Sequence, residues 1–399
     1  MVGGSDGSDG SAVSGWKQPP QNSIPALRHG IEMMDGIEFD LRMSTDGELF
    51  LHHNSQVERD ADDLAAAGAM PFVEENEAAT MRDLGFGTFD DLLAEPAIRD
   101  AWLEGGHTLV IELKRPHRIS RPGGEKWSRP KRDAHMRRML EVVDSRMTDL
   151  DAADCTAAVI SFDQRIHSVA REAGVGIPVA PISPFLPTFG SELTKRAFGS
   201  PSFMRRSVPA LARRYAAIRA PFLPLAYDHI AGITRFLHLG RSAGLSGRGL
   251  EVLRAASRVK PMAIWPTPIE AEAALEAAGL WRITDVVDPT VLRLPNGLPR
   301  WTKPATRPLD AEWRQRLDAA GTGSDAEVAD LLAEATSSIA PWQELSPAER
   351  NAVLDRNSSR HGLPESNEAL HGHASQRSIP WRMPRSIAHR GAGNSRSEN

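Results

Sequence analysis

Four short stretches hold side chains able to do chemistry together. Glu38 and Asp40 stand two apart in Gly36-Ile-Glu-Phe-Asp-Leu-Arg42, a run that predicts a strand. At that spacing both carboxylates point to one side. Such neighbours repel unless a cation or a shared proton lies between them, and oxygen ligands of this kind suit Mg²⁺ or Ca²⁺. A solvent-facing pair is the plainer alternative. Val110-Ile-Glu-Leu-Lys-Arg115 sets Glu112 and Lys114 on one face of a second strand end. Charge within an apolar strand is costly unless paired or metal-bound. Glu112 therefore either completes a three-carboxylate site with Glu38 and Asp40, leaving Lys114 for a substrate phosphate, or forms a structural ion pair with Lys114. His52-His53-Asn54 closes the run from Leu49. Alternation turns one of the two imidazoles toward the site, where it can exchange a proton with a phosphate ester. A lone histidine there is usually structural and gains meaning only with a second across the site. Ser386-Ile-Ala-His389-Arg390-Gly391 supplies a second, on a short apolar strand that delivers a His-Arg pair into a Gly-rich loop.

These residues need a scaffold. The middle of the chain alternates β-rich runs with Ala/Leu/Arg-rich helical stretches, the pattern of parallel strands joined by helices. Main strands are predicted at 36–42, 108–114, 157–162, 177–182, 222–227, 261–265 and 282–287, with 49–53 as a local excursion after the turn Thr45-Asp46-Gly47. A (β/α)8 barrel needs eight main strands, and an arc one strand short leaves two open edges. Residues 386–389 provide the missing strand if they insert between 36–42 and 282–287. The expected division is a flexible Gly/Ser/Asp-rich tail over 1–20, a barrel body over 21–299, a helical connector over 300–385 and the completing strand and loop over 386–399. Within the connector, helices are expected at about 309–319, 324–337 and 346–357, the last opened by a capping box of Ser346 and Glu349 with Pro347 at its first position. The stretch from Ser358 to Pro384, with His361, His371 and His373, reads as a linking segment.

Bulk properties bound the partners. The 399 residues carry a formal net charge of −5, which argues against a general nucleic-acid binder. The single cysteine, Cys155, excludes an internal disulfide framework and a cysteine-based zinc site. No apolar run approaches the ~20 residues of a membrane span, and no signal-peptide core is evident, so a soluble, cytoplasmic protein is the expectation. The basic stretch with Lys195, Arg196, Arg205, Arg206, Arg213, Arg214 and Arg219 predicts a helical insertion. A solvated helix face is the plain reading of it, and a surface for peripheral contact with acidic lipids or phosphorylated substrates the sharper one.

Residues 36–54 resemble the core signature of the glycerophosphodiester phosphodiesterases: a Glu-x-Asp strand, a Thr-x-Asp-Gly turn, an apolar run and a histidine followed by Asp. Counted from Glu38, the histidine of that pattern is His53, and Asn54 stands where the family usually has Asp. The resemblance extends through Ile111-Glu112-Leu113-Lys114, Ile160-Ser161-Phe162, Ala263-Ile264-Trp265 and Arg282-Ile283-Thr284-Asp285, covering about 22–295. The family opens with a strand ending in His-Arg-Gly and a loop ending in Glu-Asn-Thr. Here Ala12-Val13-Ser14-Gly15 occupies that place. Arg28-His29-Gly30 has the wrong order, and Gln21-Asn22-Ser23 matches Glu-Asn-Thr loosely. The missing piece stands at His389-Arg390-Gly391, with Glu398-Asn399 after it. The chain thus resembles a circularly permuted family barrel.

The resemblance implies an α/β TIM barrel and metal-dependent hydrolysis of glycerophosphodiesters to sn-glycerol 3-phosphate and an alcohol. It implies a divalent ion, Mg²⁺ or Ca²⁺, held by Glu38, Asp40 and Glu112. His389 and His53 would be general base and acid in unassigned order, with Arg390 and Lys114 on the phosphoryl oxygens. The substrate's own hydroxyl would attack phosphorus, and water would then open the cyclic product. Trp265 either packs against substrate or belongs to the core. Two rival readings stand beside this one: a catalytically inactive barrel that binds or scaffolds, favoured by Asn54 and by the displaced His-Arg-Gly, and a phospholipase D-like lipid phosphodiesterase acting on a lysophospholipid.

Overall fold

The computed structural model describes residues 16–57, 59, 61–184, 194, 197–198, 201, 206–231, 244–362, 372, 374 and 377–393. Its strands are β1 (Gly36–Met43), β2 (Leu49–Leu51), β3 (Thr108–Leu113), β4 (Ala157–Ser161), β5 (Val179–Pro181), β6 (Leu223–Ala226), β7 (Met262–Thr267), β8 (Trp281–Thr284) and β9 (Ser386–His389). Eight of them follow one another in the order β5-β4-β3-β1-β9-β8-β7-β6, and the ladders within this row are parallel. The ring closes just past β5. There Ser183 donates its N–H to Pro224 O at 2.9 Å and accepts the N–H of Ala226 at 2.9 Å. The fold is an α/β barrel of the TIM type. β2 returns antiparallel along β1 outside this ring. Most strands are shorter than expected, and two of the differences bear on the site: β2 stops at Leu51, before the histidines, and β8 stops at Thr284.

The longer helices are α1 (Ile24–Met33), α2 (Arg129–Asp149), α3 (Ile166–Ala173), α4 (Val208–Ala217), α5 (Gly247–Val259), α6 (Ile269–Ala277), α7 (Ala311–Ala319), α8 (Asp325–Ser338) and α9 (Pro347–His361). β1 is buried along its whole length, as expected of a parallel strand covered on both faces. Ile37, Phe39 and Leu41 join a core cluster with Leu27 and Ile31 of α1. The alternate residues, Glu38 and Asp40, face the barrel interior.

β9 sits between β1 and β8. Ala388 and His389 pair with Ile37 and Glu38, while Ser386, Ile387 and Ala388 pair with Arg282, Ile283 and Thr284. The helix that follows β9 around the ring is α1, from the far end of the sequence. Non-covalent bonds span the gap between them: Asn22 N–H donates to Arg390 O at 3.1 Å, and Gln18 Nε2 donates to Ala392 O at 2.7 Å. Glycine lets the two segments touch. A Cβ on Gly30 would lie 2.3 Å from Gly391 O, and one on Gly391, at φ +79°, would lie 2.5 Å from the α1 backbone. Glu398 and Asn399 lie outside the described residues.

The connector brings the chain back to the end where the strands begin and packs small cores of its own, one built on Trp342, Val353, Leu354, Ile379 and Met383. Ser346 and Glu349 form the expected capping box on α9. His371 and His373 lie outside the described residues. Where the connector enters β9, two buried charges fix it. Asp35 accepts the N–H of Ser386 at 2.8 Å and the N–H and hydroxyl of Thr306 at 2.9 and 2.7 Å. Arg385, fully buried, donates to Thr108 Oγ1 at 2.6 Å and to Ile379 O at 3.2 Å, with its guanidinium 4.1 Å above the Trp281 ring. It plugs the lower end of the barrel.

Of the basic stretch, Lys195, Arg196 and Arg205 lie outside the described residues. α4 buries Val208, Leu211, Ala212 and Tyr215 and leaves Arg213 exposed. No described helix is long and apolar enough to cross a membrane.

Candidate active site

Parallel strands that start together finish together, so β1, β3, β8 and β9 deliver their last inward residues to one end of the barrel. Glu38, Asp40 and Glu112 meet there. One carboxylate oxygen from each lies within 4.8 Å of the others, and all three residues are buried. Glu38 is raised to about 7, by burial first and then by the neighbouring Asp40 charge. Glu112 is also raised, again by burial first. Asp40 goes the other way: burial pushes it up, but Lys114, His53 and Arg390 outweigh that and hold it well below the usual carboxylate range.

Lys114 Nζ lies 2.7 Å from Asp40 Oδ1 and 2.6 Å from Glu112 Oε1. The ammonium bridges the two carboxylates. Three buried carboxylates with converging oxygens offer the hard donors that a divalent cation such as Mg²⁺ or Ca²⁺ prefers. The structure thus shows a Glu112–Lys114 ion pair and a three-carboxylate cluster at once.

β9 adds the cationic half. His389 Nδ1 and Asp285 Oδ1 are 2.6 Å apart, and Nε2 lies 3.7 Å from Glu38 Oε2. Burial alone would lower the imidazole pKa, but the Asp285 and Glu38 carboxylates raise it above its ordinary value. Arg390 takes a left-handed backbone, φ 50°, a conformation that costs a non-glycine residue about 1 kcal/mol. In return its N–H donates to Glu38 Oε2 at 3.2 Å, its Nε pairs with Asp40 Oδ2 at 3.3 Å, and Nη1 donates to Gln21 Oε1 at 2.7 Å.

The two adjacent histidines separate as alternation requires. His52 is buried, bonds Gln56 O at 2.9 Å, meets the Phe86 ring edge-on and is lowered to about 4 by burial. His53 lies at the edge of the site. The His52 N–H donates to Asp40 O at 3.1 Å, which places His53 beside the carboxylates, and its charge helps hold Asp40 low. Its Nδ1 lies 3.0 Å from Asn54 Oδ1, so the amide oxygen at 54 can orient the ring as a carboxylate would. Trp265 meets Phe162 edge-on at 5.5 Å, and its buried indole N–H finds no hydrogen-bond acceptor among the described residues.

Two contributors escape the sequence reading. Asp285 was expected inside a strand running to 287; because β8 ends at Thr284, it stands in the following loop against His389. Asn22 reads as part of a loose motif match, yet its Nδ2 donates to Asp40 Oδ2 at 2.9 Å while its Oδ1 accepts the Asp40 N–H at 3.1 Å. An acid directly after the strand that flanks a histidine strand was the available signal for Asp285. Nothing local marks Asn22.

The parallel barrel gathers carboxylates, histidines and a guanidinium at one end, groups whose chemistry suits phosphate esters. The model of the Glycerophosphoryl diester phosphodiesterase family matches residues 14–182. That match covers the segment where the sequence resemblance is strongest. Similar solved structures include a glycerophosphodiester phosphodiesterase from Thermotoga maritima, 15% identical over 67% of this chain and 89% of that one, with a TM-score of 0.41. Another, from Parabacteroides distasonis, is 14% identical over 68% and 89%, TM-score 0.42. A third is an Oleispira antarctica phosphodiesterase in complex with the product sn-glycerol-3-phosphate, 12% identical over 66% and 86%, TM-score 0.41. No curated protein matches the chain.

Proposed function

We propose that this protein hydrolyses glycerophosphodiesters to sn-glycerol 3-phosphate and an alcohol. The observation that carries the reading is the delivery of His389 and Arg390 by β9 to the Glu38–Asp40–Glu112 cluster. Glu38, Asp40 and Glu112 would hold a divalent cation, Mg²⁺ or Ca²⁺, which when bound supplies Lewis-acid stabilisation of phosphoryl charge. Arg390 and Lys114 present cationic groups to the phosphoryl oxygens. His389, held through Nδ1 by Asp285, keeps Nε2 for proton transfer. His53, contacted through Nδ1 by Asn54, would be the second proton-transfer group. Two imidazoles so placed serve a displacement by the substrate's hydroxyl and the later opening of the cyclic ester by water. Trp265 and Phe162 form an apolar wall for the substrate's carbon skeleton. The chain order fits a family barrel opened between its first strand and first helix, with 300–385 as the connector.

A phosphodiesterase assay on glycerophosphocholine with Mg²⁺ or Ca²⁺ tests the reading. His389→Ala should lose about 10²–10⁴-fold in kcat. Full activity in that variant would falsify the role of β9, and a folded but inactive wild type would make the barrel a binding protein. Preference for a lysophospholipid over glycerophosphocholine would make it a lipid phosphodiesterase.

A further inference from the structure

The end of the barrel opposite the carboxylates carries a cavity of about 250 Å³, mainly apolar with a charged rim, between α6 of the barrel and α7 and α9 of the connector. Glu276, near the end of α6, and Pro384, two residues before β9, both line it, which places it where the parallel strands begin. Its size falls just below the ~300 Å³ at which pockets for drug-sized ligands start, so it suits a small molecule.

Guanidinium groups dominate its polar wall. Arg314, Arg356 and Arg360 line it, and buried Arg282 reaches Glu276 at 3.0 Å. The opposing carboxylates are already committed. Glu276 is shared between Arg282 and Arg314, the latter at 3.1 Å, and feels Arg360 at longer range, and Asp310 caps α7 by accepting the Trp313 N–H at 2.8 Å. Arg356 and Arg360 are exposed and form no ion pair or side-chain hydrogen bond with described residues. The facing wall, with Trp301, Leu309 and Val353, is apolar. Arginine forks match phosphate oxygens two at a time.

We propose that this cavity binds a small phosphate-bearing anion, free phosphate or a phosphate monoester, at a site separate from the carboxylate end of the barrel. This goes beyond the phosphodiesterase reading and does not depend on it. Isothermal titration with inorganic phosphate and, separately, with sn-glycerol 3-phosphate at low ionic strength tests it on three proteins: wild type, Arg356→Gln/Arg360→Gln, and Lys114→Ala/Arg390→Ala. Both rim arginines are exposed, so the first variant should melt as wild type does. It should lose at least about tenfold in affinity at one site, and Lys114→Ala/Arg390→Ala should keep that site. Tighter binding of the ester would identify a monoester as ligand, and equal binding would identify the phosphate group alone. Rim-variant isotherms identical to wild type for both anions would overturn the proposal, as would loss of all binding in Lys114→Ala/Arg390→Ala.

Discussion

At the scale of single residues, Asp285 and Glu38 make opposite demands on His389. Asp285 fixes the ring through Nδ1 and raises its pKa; Glu38 sits at Nε2, where a proton would move. Asp285→Asn should therefore lower kcat about 10- to 100-fold, with KM little changed, and shift the His389 limb of the pH–rate profile to lower pH. An unchanged profile would show that the 2.6 Å contact does not tune the ring. Glu38 gives a second expectation. Raised to about 7, it must lose its proton before it can serve a cation. The gain in thermal midpoint on adding Mg²⁺ or Ca²⁺ should grow as pH rises from 6 to 8 and vanish in chelator; a gain independent of pH would remove Glu38 from the ligand set. The carboxylates and histidines were legible because strand alternation assigns faces from spacing alone. Asp285 and Asn22 were not, because a strand's last residue and a loop residue's partner are set by distant neighbours.

Among elements, β9 is held at its start as firmly as at its end. Arg385 fills the barrel floor with hydrogen bonds to Thr108 and Ile379 and lies over Trp281. Burial lowers its pKa to about 9, so it still carries charge at neutral pH. Arg385→Ala removes those donors and strands their acceptors, at about 1–3 kcal/mol for each buried group left unmatched. Urea titration should show a loss of about 3 kcal/mol or more; a loss under 1 kcal/mol would mean that the strand docks without its plug. The need for β9 was visible in the strand count, and so were the connector helices, whose caps and periodicity are local. The floor was not, since Arg385, Asp35, Thr108 and Trp281 lie far apart in sequence and none sits in a recognisable pattern.

For the whole molecule, buried and half-buried histidines set the response to acid. His52, His107, His135, His229 and His361 are each lowered to about 4, burial being the first cause in every case. In the unfolded chain they take protons near 6.5, so the stability they contribute is lost as pH falls from about 6.5 toward 4. Asp35, Glu38, Glu112 and His389, all raised, act in the opposite sense but are fewer. The urea midpoint should be lower at pH 5 than at pH 7.5, and a flat or inverted profile would show that these rings titrate freely in the fold. The order in which the strands occur in the chain adds a kinetic consequence. The Arg390 N–H reaches Glu38 across 352 positions, and loop closure over such a span is slow. A chain with β1 and β8 in place before β9 would leave a slot with two unpaired parallel edges between them. Such a slot would accept the same strand from any copy of the chain. Intramolecular closure is first order and exchange between copies second order, so crowded refolding favours intertwined pairs and dilute refolding favours the single barrel.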